Sequence, residues 1–345
     1  MFLCSSCINL FLELNNLISA QFTVRDTRLK QLSSEVPNII VHSRAKNTKD
    51  KYQCYFDQWC RWCSLFPEIN PCPTQEQHLI LYVAYLFQSG RSFPVIESSV
   101  SAIKYFHSLA NLNVGASAVL KHLLQATKVL LSYVPKKKQA LTVENLRSAI
   151  NFLNREKTLK NMRTKVIMIL SFSAFLRFSE CKNLRRSDIR IFPHYAMIFI
   201  EKSKTDILRR GHWVFLSRLH SPLCPVTNLE DYFELVKCVP DSDVFIFRNV
   251  KTDGKTNGSL RKKDVPVNYS TVREDVRSVL KKIGLKECDY GLHSLRSGGA
   301  SAAANFGVND RLIMKHGRWK SVGIKNRYIS EDLDSLLFVS RNLGF

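Results

Sequence analysis

Residues 291–330 read GLHSLRSGGASAAANFGVNDRLIMKHGRWKSVGIKNRYIS. His293 and Arg296 stand three apart, Trp319 follows, and Tyr328 lies nine residues beyond it. A helix beginning near Gly291 sets His293 and Arg296 on one face of its first turn. Unsatisfied backbone N–H groups and the helix dipole favour an anion there. A second short helix then brings a phenol. Anion binders, a group able to pass a proton and a candidate nucleophile suit phosphoryl transfer, in which positioning and charge neutralisation do most of the catalysis.

The rest of the chain fits an anionic partner. Its 345 residues carry a formal net charge of +22, an imbalance that points to a polyanion. The excess of basic residues is spread over both sides of Ala140, so both halves are expected to meet nucleic acid. The length suits about two domains, each with its own core. No run approaches the roughly 18 uninterrupted apolar residues of a membrane span, so no membrane association is expected.

The 10 cysteines are irregularly spaced. Cys4 and Cys7 form one CxxC and Cys60 and Cys63 another, but a zinc site wants its pairs in a compact, Gly-containing knuckle. Cys60 and Cys63 sit inside a helical pattern instead, which reads as buried thiols in a reducing compartment, with no metal site. The first residues, MFLCSSCINLFLELNNLISA, are apolar, yet they lack a positive start and Glu13 interrupts them. They read as part of an N-terminal extension over residues 1–40, not as a signal peptide.

From residue 41 to 134 four helices are expected. In NTKDKYQCYFDQWCRWC, Tyr52, Tyr55, Phe56, Trp59 and Cys63 recur at three and four, with Thr48 as the expected N-cap. Lys46, Lys49 and Lys51 beside this stripe are candidate phosphate contacts. Further helices are expected from Gln75 to Gln88, after Pro94, and from Ser117 to Val134, which together make a small bundle. Residues 135–141 read as a basic linker carrying Lys136, Lys137 and Lys138, and Thr142 can cap the helix that opens residues 142–345.

In this second half TKVIMILSFSAFL (Thr164 to Leu176) predicts a buried helix, and Arg177 follows at once. A guanidinium at the edge of a core is costly unless matched to an anion. Two readings stand: an ion pair with Glu180 or Asp188, or an arginine emerging to meet a phosphate with Glu180 supporting it. YAMIFIEKSKT and HWVFLS predict two antiparallel strands joined by a basic turn, with Lys202 and Lys204 near it. PVTNLEDYFELV predicts a helix, VFIF (Val244 to Phe247) a strand, KTDGKTNGSLRKKD a loop, and NYSTVREDVRSVLKKIG a helix. Tyr232, Tyr269 and Tyr290 are expected in the core. The tail EDLDSLLFVSRNLGF carries Leu333, Leu336 and Leu337 on one side, fit to dock within the chain or on a neighbouring subunit.

The segments HSLRSGGA, GRW and NRYIS, with LRFSE and LRRSDI upstream, resemble the signature of the tyrosine recombinases of the phage-integrase superfamily. The resemblance spans roughly Ser43 to Leu337, and its specific motifs are confined to Leu176–Ile189 and Gly291–Ser330. It implies a mainly α fold with a small antiparallel β-sheet in the C-terminal domain, an α+β chain. A helical, SAM-like core-binding bundle and a catalytic domain would clamp double-stranded DNA. It further implies a catalytic set of Arg177, Lys204 (or Lys202), His293, Arg296, Trp319 and Tyr328, supported by Glu180. Tyr328 would attack phosphorus and form a 3′-phosphotyrosine without metal, ATP or other cofactor.

Many members carry histidine where Trp319 stands; Cre-like members carry tryptophan, and His316 is an alternative for that role. Assembly as a tetramer on two duplexes is implied as well. Chain length, cysteine usage and the phrasing GLHSLRSGGASAAA look most like transposon-encoded members of the DIRS and Crypton type, which implies integration of a mobile element and action in the nucleus. Lys136–Lys138 is the candidate nuclear signal. A domesticated, binding-only recombinase and a type IB topoisomerase-like enzyme remain as alternatives.

Overall fold

A computed structural model describes residues 22–40, 43–132, 137–201, 211–251, 258–331 and 333–342. The chain divides into two compact units, Met1–Pro135 and Lys136–Phe345. Lys136, Lys202 and Lys204, with Cys4 and Cys7, lie outside the described residues.

The first unit is helical: α1 (Thr27–Ile40), α2 (Lys46–Cys63), α3 (Glu76–Gln88), α4 (Phe93–Leu109) and α5 (Ala118–Leu130). The aromatic stripe of α2 forms its core, where Phe56 and Trp59 pack with Tyr82, Ile103 and Phe106. Helix α2 begins two residues before Thr48, with Ala45 at its N-cap and no side-chain cap, so the start predicted at Thr48 is corrected. Ser117 does cap α5, accepting from the Leu120 amide at 3.2 Å. Cys60 and Cys63 both lie on α2, and burial pushes the Cys63 thiol up to about 12.

The second unit is mixed. Its helices are α6 (Val143–Leu153), α7 (Leu159–Ser173), α8 (Phe178–Lys182), α9 (Pro225–Leu235), α10 (Tyr269–Lys282), α11 (Leu292–Asn305), α12 (Asp310–Gly317), α13 (Val322–Asn326) and α14 (Leu333–Arg341). Thr142 caps α6, taking the Asn145 amide at 3.2 Å.

Three antiparallel strands, β1 (Ile189–Ile191), β2 (Tyr195–Ile200) and β3 (His212–Ser217), pair in the order β1-β2-β3, with Tyr195 opposite Ser217. The two long strands follow the predicted alternation, with Ala196, Ile198 and Ile200 buried. The short β1 carries too few residues to show a period. The strand predicted at Val244–Phe247 is replaced by a single bridge, Arg185 to Phe245, with Ile246 and Phe247 buried. The segment read as a loop from Lys251 to Asp264 contains a short pairing, β4 (Val250–Lys251) with β5 (Ser259–Leu260). Tyr232 and Tyr290 are buried as expected, whereas Tyr269 is 52% exposed.

Helix α7 is nearly all core, and α11 lies against it. Gly299 permits that approach, since a Cβ there would stand 2.0 Å from the Phe172 carbonyl oxygen; a Cβ on Gly298 would stand 2.0 Å from the Leu141 carbonyl oxygen, just before α6. Helix α7 ends at Ser173, earlier than its apolar run, and Phe175 adopts the left-handed conformation with φ 47°. The chain turns there and delivers Arg177 to the start of α8. Among the described residues no helix is long and apolar enough to cross a membrane.

Candidate active site

A single carboxylate organises the site. Glu180 is the third residue of α8, and one of its oxygens caps the helix by accepting the Arg177 amide at 2.9 Å. Arg177 Nη1 donates to the other oxygen at 2.6 Å, Arg318 Nη2 donates to the capping oxygen at 2.8 Å, and Arg296 Nη1 stands 3.7 Å from it. The Glu180 side chain is 1% exposed. Burial by itself raises its pKa, but Arg318, the Arg177 amide, and the guanidinium groups of Arg177 and Arg296 prevail and hold it below the usual carboxylate range. Of the two sequence readings of Arg177, the ion pair with Glu180 is present, at the edge of a cluster that also holds Arg296.

Arg296 arrives from α11. It is wholly buried, donating to the carbonyls of Phe175 and Gly317, the latter at 2.7 Å. Its guanidinium carbon lies 4.8 Å from the Trp319 ring centre and 5.0 Å from that of Tyr328, so cation–π contacts cover it. Burial first, and the neighbouring Arg177 second, pull its pKa down to about 9, still cationic at neutral pH.

Trp319 is buried between Phe175 and Tyr328, with ring centres 6.0 and 5.0 Å away. Its indole Nε1 is buried with no acceptor among the described residues. A buried N–H without a partner is costly, and a phosphate oxygen would satisfy it. The Nε atoms of several buried arginines, Arg296 among them, share that condition. The indole is the more informative, because it has only one donor to place.

Tyr328 follows α13 and is half-buried. Its amide donates to the Lys325 carbonyl at 2.8 Å, and its carbonyl accepts from Ser301 Oγ at 3.3 Å. Ser301 also accepts the Ser330 amide at 2.8 Å. Helix α11 thereby carries Arg296 and, through Ser301, holds the segment bearing the phenol.

The remaining predicted residues divide. His293 is exposed on the first turn of α11, one turn before Arg296, as its spacing predicts. His316 donates through Nε2 to the Ser173 carbonyl at 2.8 Å, and burial lowers its pKa. That ring nitrogen is already committed, and Trp319, not His316, lies against Tyr328. Lys46 and Lys51 are exposed at the start of α2, with Lys51 Nζ donating to Ser98 Oγ at 2.9 Å, and Lys49 is half-buried. Lys137 and Lys138 are exposed, and Lys138 donates to the Cys288 carbonyl.

Sequence reasoning missed Arg318. A basic residue just after a helix reads as a solvated partner of the helix dipole, yet the Arg318 side chain is 5% exposed. The available signal was Glu180 itself, since a core carboxylate needs more than one donor.

A model of the phage integrase family matches residues 139–334, more than half of the chain. An integrase/recombinase xerD homolog of Selenomonas ruminantium is 23% identical over 308 residues, covering 88% of this chain and 86% of the relative. The recombinase cre of Escherichia phage P1 is 23% identical over 290 residues, covering 80% and 81%. Among solved structures, the XerH site-specific recombinase in a post-cleavage complex with a palindromic difH substrate superposes with a TM-score of 0.61 at 14% identity, covering 99% of this chain and 98% of that one. A lambda integrase dimer bound to a COC′ core site gives 0.56 at 16% identity, covering 84% and 91%. With a mainly α fold, a small antiparallel sheet and a cationic cluster beside a C-terminal tyrosine, the chain belongs to the phage integrase family of tyrosine recombinases, enzymes that break and rejoin DNA.

Proposed function

We propose that the protein cuts and rejoins DNA at specific sites through a covalent 3′-phosphotyrosine on Tyr328. The observation that carries this reading is the Arg296 guanidinium, 5.0 Å from the Tyr328 ring and 3.7 Å from the Glu180 carboxylate that also holds Arg177. Arg177, Arg296 and Arg318 come from separate parts of the chain, yet the three cations gather beside Trp319 and Tyr328.

A phosphodiester resists attack because it is anionic and its alkoxide leaves poorly. Arg177 and Arg296 neutralise the non-bridging oxygens with paired hydrogen bonds. Trp319 donates its indole N–H to the same group. The Tyr328 hydroxyl gives its proton to His293 and its oxygen bonds to phosphorus as the 5′-oxygen departs, and that oxygen takes a proton from Lys204. His293, one turn from Arg296, contacts the phosphate and assists proton transfer. Reversal with another strand conserves the phosphoester bond, so rejoining needs neither ATP nor metal. Since Trp319 and Tyr328 cover Arg296, the Tyr328 segment has to shift outward as the phosphate enters.

Lys46, Lys49 and Lys51 on the first unit, with Lys136, Lys137 and Lys138 at the linker, add backbone contacts. Assembly as a tetramer on two duplexes is supported by α14, whose Leu333, Leu336 and Phe338 are exposed. A 620 Å³ apolar groove, lined in part by Phe172, Val214, Leu216 and Ile313, offers such a face a seat on the second unit. Action in the nucleus on a transposon of the DIRS or Crypton type completes the proposal.

The test uses nicked duplexes selected from a pool with randomised arms. Wild type is expected to form a denaturation-resistant protein–DNA adduct in EDTA, and Tyr328→Phe none. An adduct that persists in the variant contradicts the assignment.

A further inference from the structure

Three guanidinium groups approach one buried carboxylate, and one carboxylate cannot neutralise all three. How Glu180 is shared therefore decides how much positive charge is left for a phosphate. Arg177 Nη1 takes one oxygen at 2.6 Å. The other oxygen, which already accepts the Arg177 amide at 2.9 Å, has two guanidinium claimants: Arg318 Nη2 at 2.8 Å and Arg296 Nη1 at 3.7 Å. Arg318 holds it, and Arg296 donates instead to two backbone carbonyls, whose dipoles orient a cation without cancelling its charge.

Arg318 is built into this position. It closes α12 in the left-handed conformation, φ 58° and ψ 39°, rare for a side chain with a Cβ. From there its guanidinium donates to the carbonyls of Ala174 at 3.3 Å, Phe175 at 3.0 Å and His316 at 3.0 Å, besides Glu180. Phe175 is also left-handed, with φ 47°. Two non-glycine residues in that sparsely populated region, joined by a hydrogen bond, are strained conformations held by the surrounding packing, and such strain gathers at functional sites. Three of the four bonds, to Ala174, Phe175 and Glu180, tie the turn that delivers Arg177 to the segment that delivers Trp319. All of them go to protein oxygens.

We propose that Arg318 is a positioning residue: by occupying the second oxygen of Glu180 it keeps Arg296 hydrogen-bonded to the carbonyls of Phe175 and Gly317 and only loosely paired with Glu180, so that its remaining donors are directed to the scissile phosphate. This inference rests on the function proposed above. Without Arg318, the loose 3.7 Å ion pair between Glu180 and Arg296 tightens into a direct hydrogen bond. Arg296 then leaves its carbonyl seats, and much of its charge is spent on protein.

The experiment measures single-turnover adduct formation and duplex affinity side by side, on the nicked duplex that wild type cleaves fastest. Arg318→Met should slow adduct formation about 100-fold, the scale expected when a catalytic group is displaced by about 1 Å. Duplex Kd should stay within about 3-fold, because the affinity comes from many phosphate contacts. Adding Glu180→Gln to Arg318→Met should recover at least about 10-fold of the rate, because the charge that captures Arg296 is gone. A purely structural role predicts the reverse, since a second buried substitution deepens the loss.

Arg318→Gln, which keeps donors for the carbonyls without the charge, is measured in parallel. It should be slowed at least about 10-fold with the same rescue, and it carries the test if the methionine variant does not fold. Adduct formation by a folded Arg318 variant within about 3-fold of wild type, or a double variant no faster than its single parent, overturns the assignment. Absence of any wild-type adduct is a separate result that removes the parent reading, and this one with it.

Discussion

Trp319 is packed as a core residue and, on the proposed function, also serves the chemistry. Its ring fills the space between Phe175, Arg296 and Tyr328, while its Nε1 is buried without an acceptor. Trp319→Phe keeps most of the ring and removes only the N–H. Adduct formation should fall roughly 10- to 100-fold, as expected for one donor to a charged group. Urea unfolding and duplex affinity should change little. A variant that cleaves like wild type would show that the indole only packs.

At this scale the sequence was most informative where residue type and order are both constrained. Arg296, Trp319 and Tyr328 were legible because their spacing and chemistry have few common structural explanations. Arg318 was not, because its value comes from a left-handed backbone angle and a carboxylate 138 positions away in the chain. The roles of Lys202 and Lys204 depended on strand register, which the alternation of β2 alone does not fix.

Among the elements, α11 carries most of the burden. It bears His293 on its first turn and Arg296 on the next and, through Ser301, anchors the segment of Tyr328. Its contact with α7 depends on Gly299, where a Cβ would lie 2.0 Å from the Phe172 carbonyl oxygen, a backbone atom that cannot rotate aside. Gly299→Ala should cost about 3 kcal/mol in urea unfolding, at the upper end for overpacking. It should also slow adduct formation, because α11 has to shift with Arg296 on it. A midpoint unchanged from wild type would show that the two helices have slack.

Long amphipathic helices were legible from their period, and the Thr142 cap from its side chain. Their limits were less so. The apolar run to Leu176 continues past the end of α7, because buried residues keep their hydrophobicity whether the backbone is helical or turning. In the same way VFIF reads as a strand but packs as buried irregular chain with one bridge. An apolar run records burial; the backbone form follows from its neighbours.

For the molecule as a whole, one buried and two half-buried histidines set a pH dependence. Burial lowers the pKa of His107 and His316, and of His212, where Arg318 and Lys315 add to it. In the unfolded chain each titrates near its ordinary value of about 6.5. The folded protein then binds fewer protons, so the stability these groups contribute is full above about pH 6.5 and is lost progressively as the pH falls below it. The melting temperature should decline between about pH 7 and 5.5, and less steeply in His316→Gln, which can still donate to Ser173. Equal slopes would show that His316 takes up its proton without opposition.

The central claim, that cations from distant parts of the chain serve the phenol of Tyr328, is tested most directly by finding which residue holds the DNA. The adduct formed on a nicked duplex is digested with trypsin and nuclease, and the modified peptide is sequenced by mass spectrometry. The mass of a nucleotide joined through its 3′-phosphate is predicted on Tyr328. The same mass on another side chain, such as the exposed Tyr269, would contradict the account.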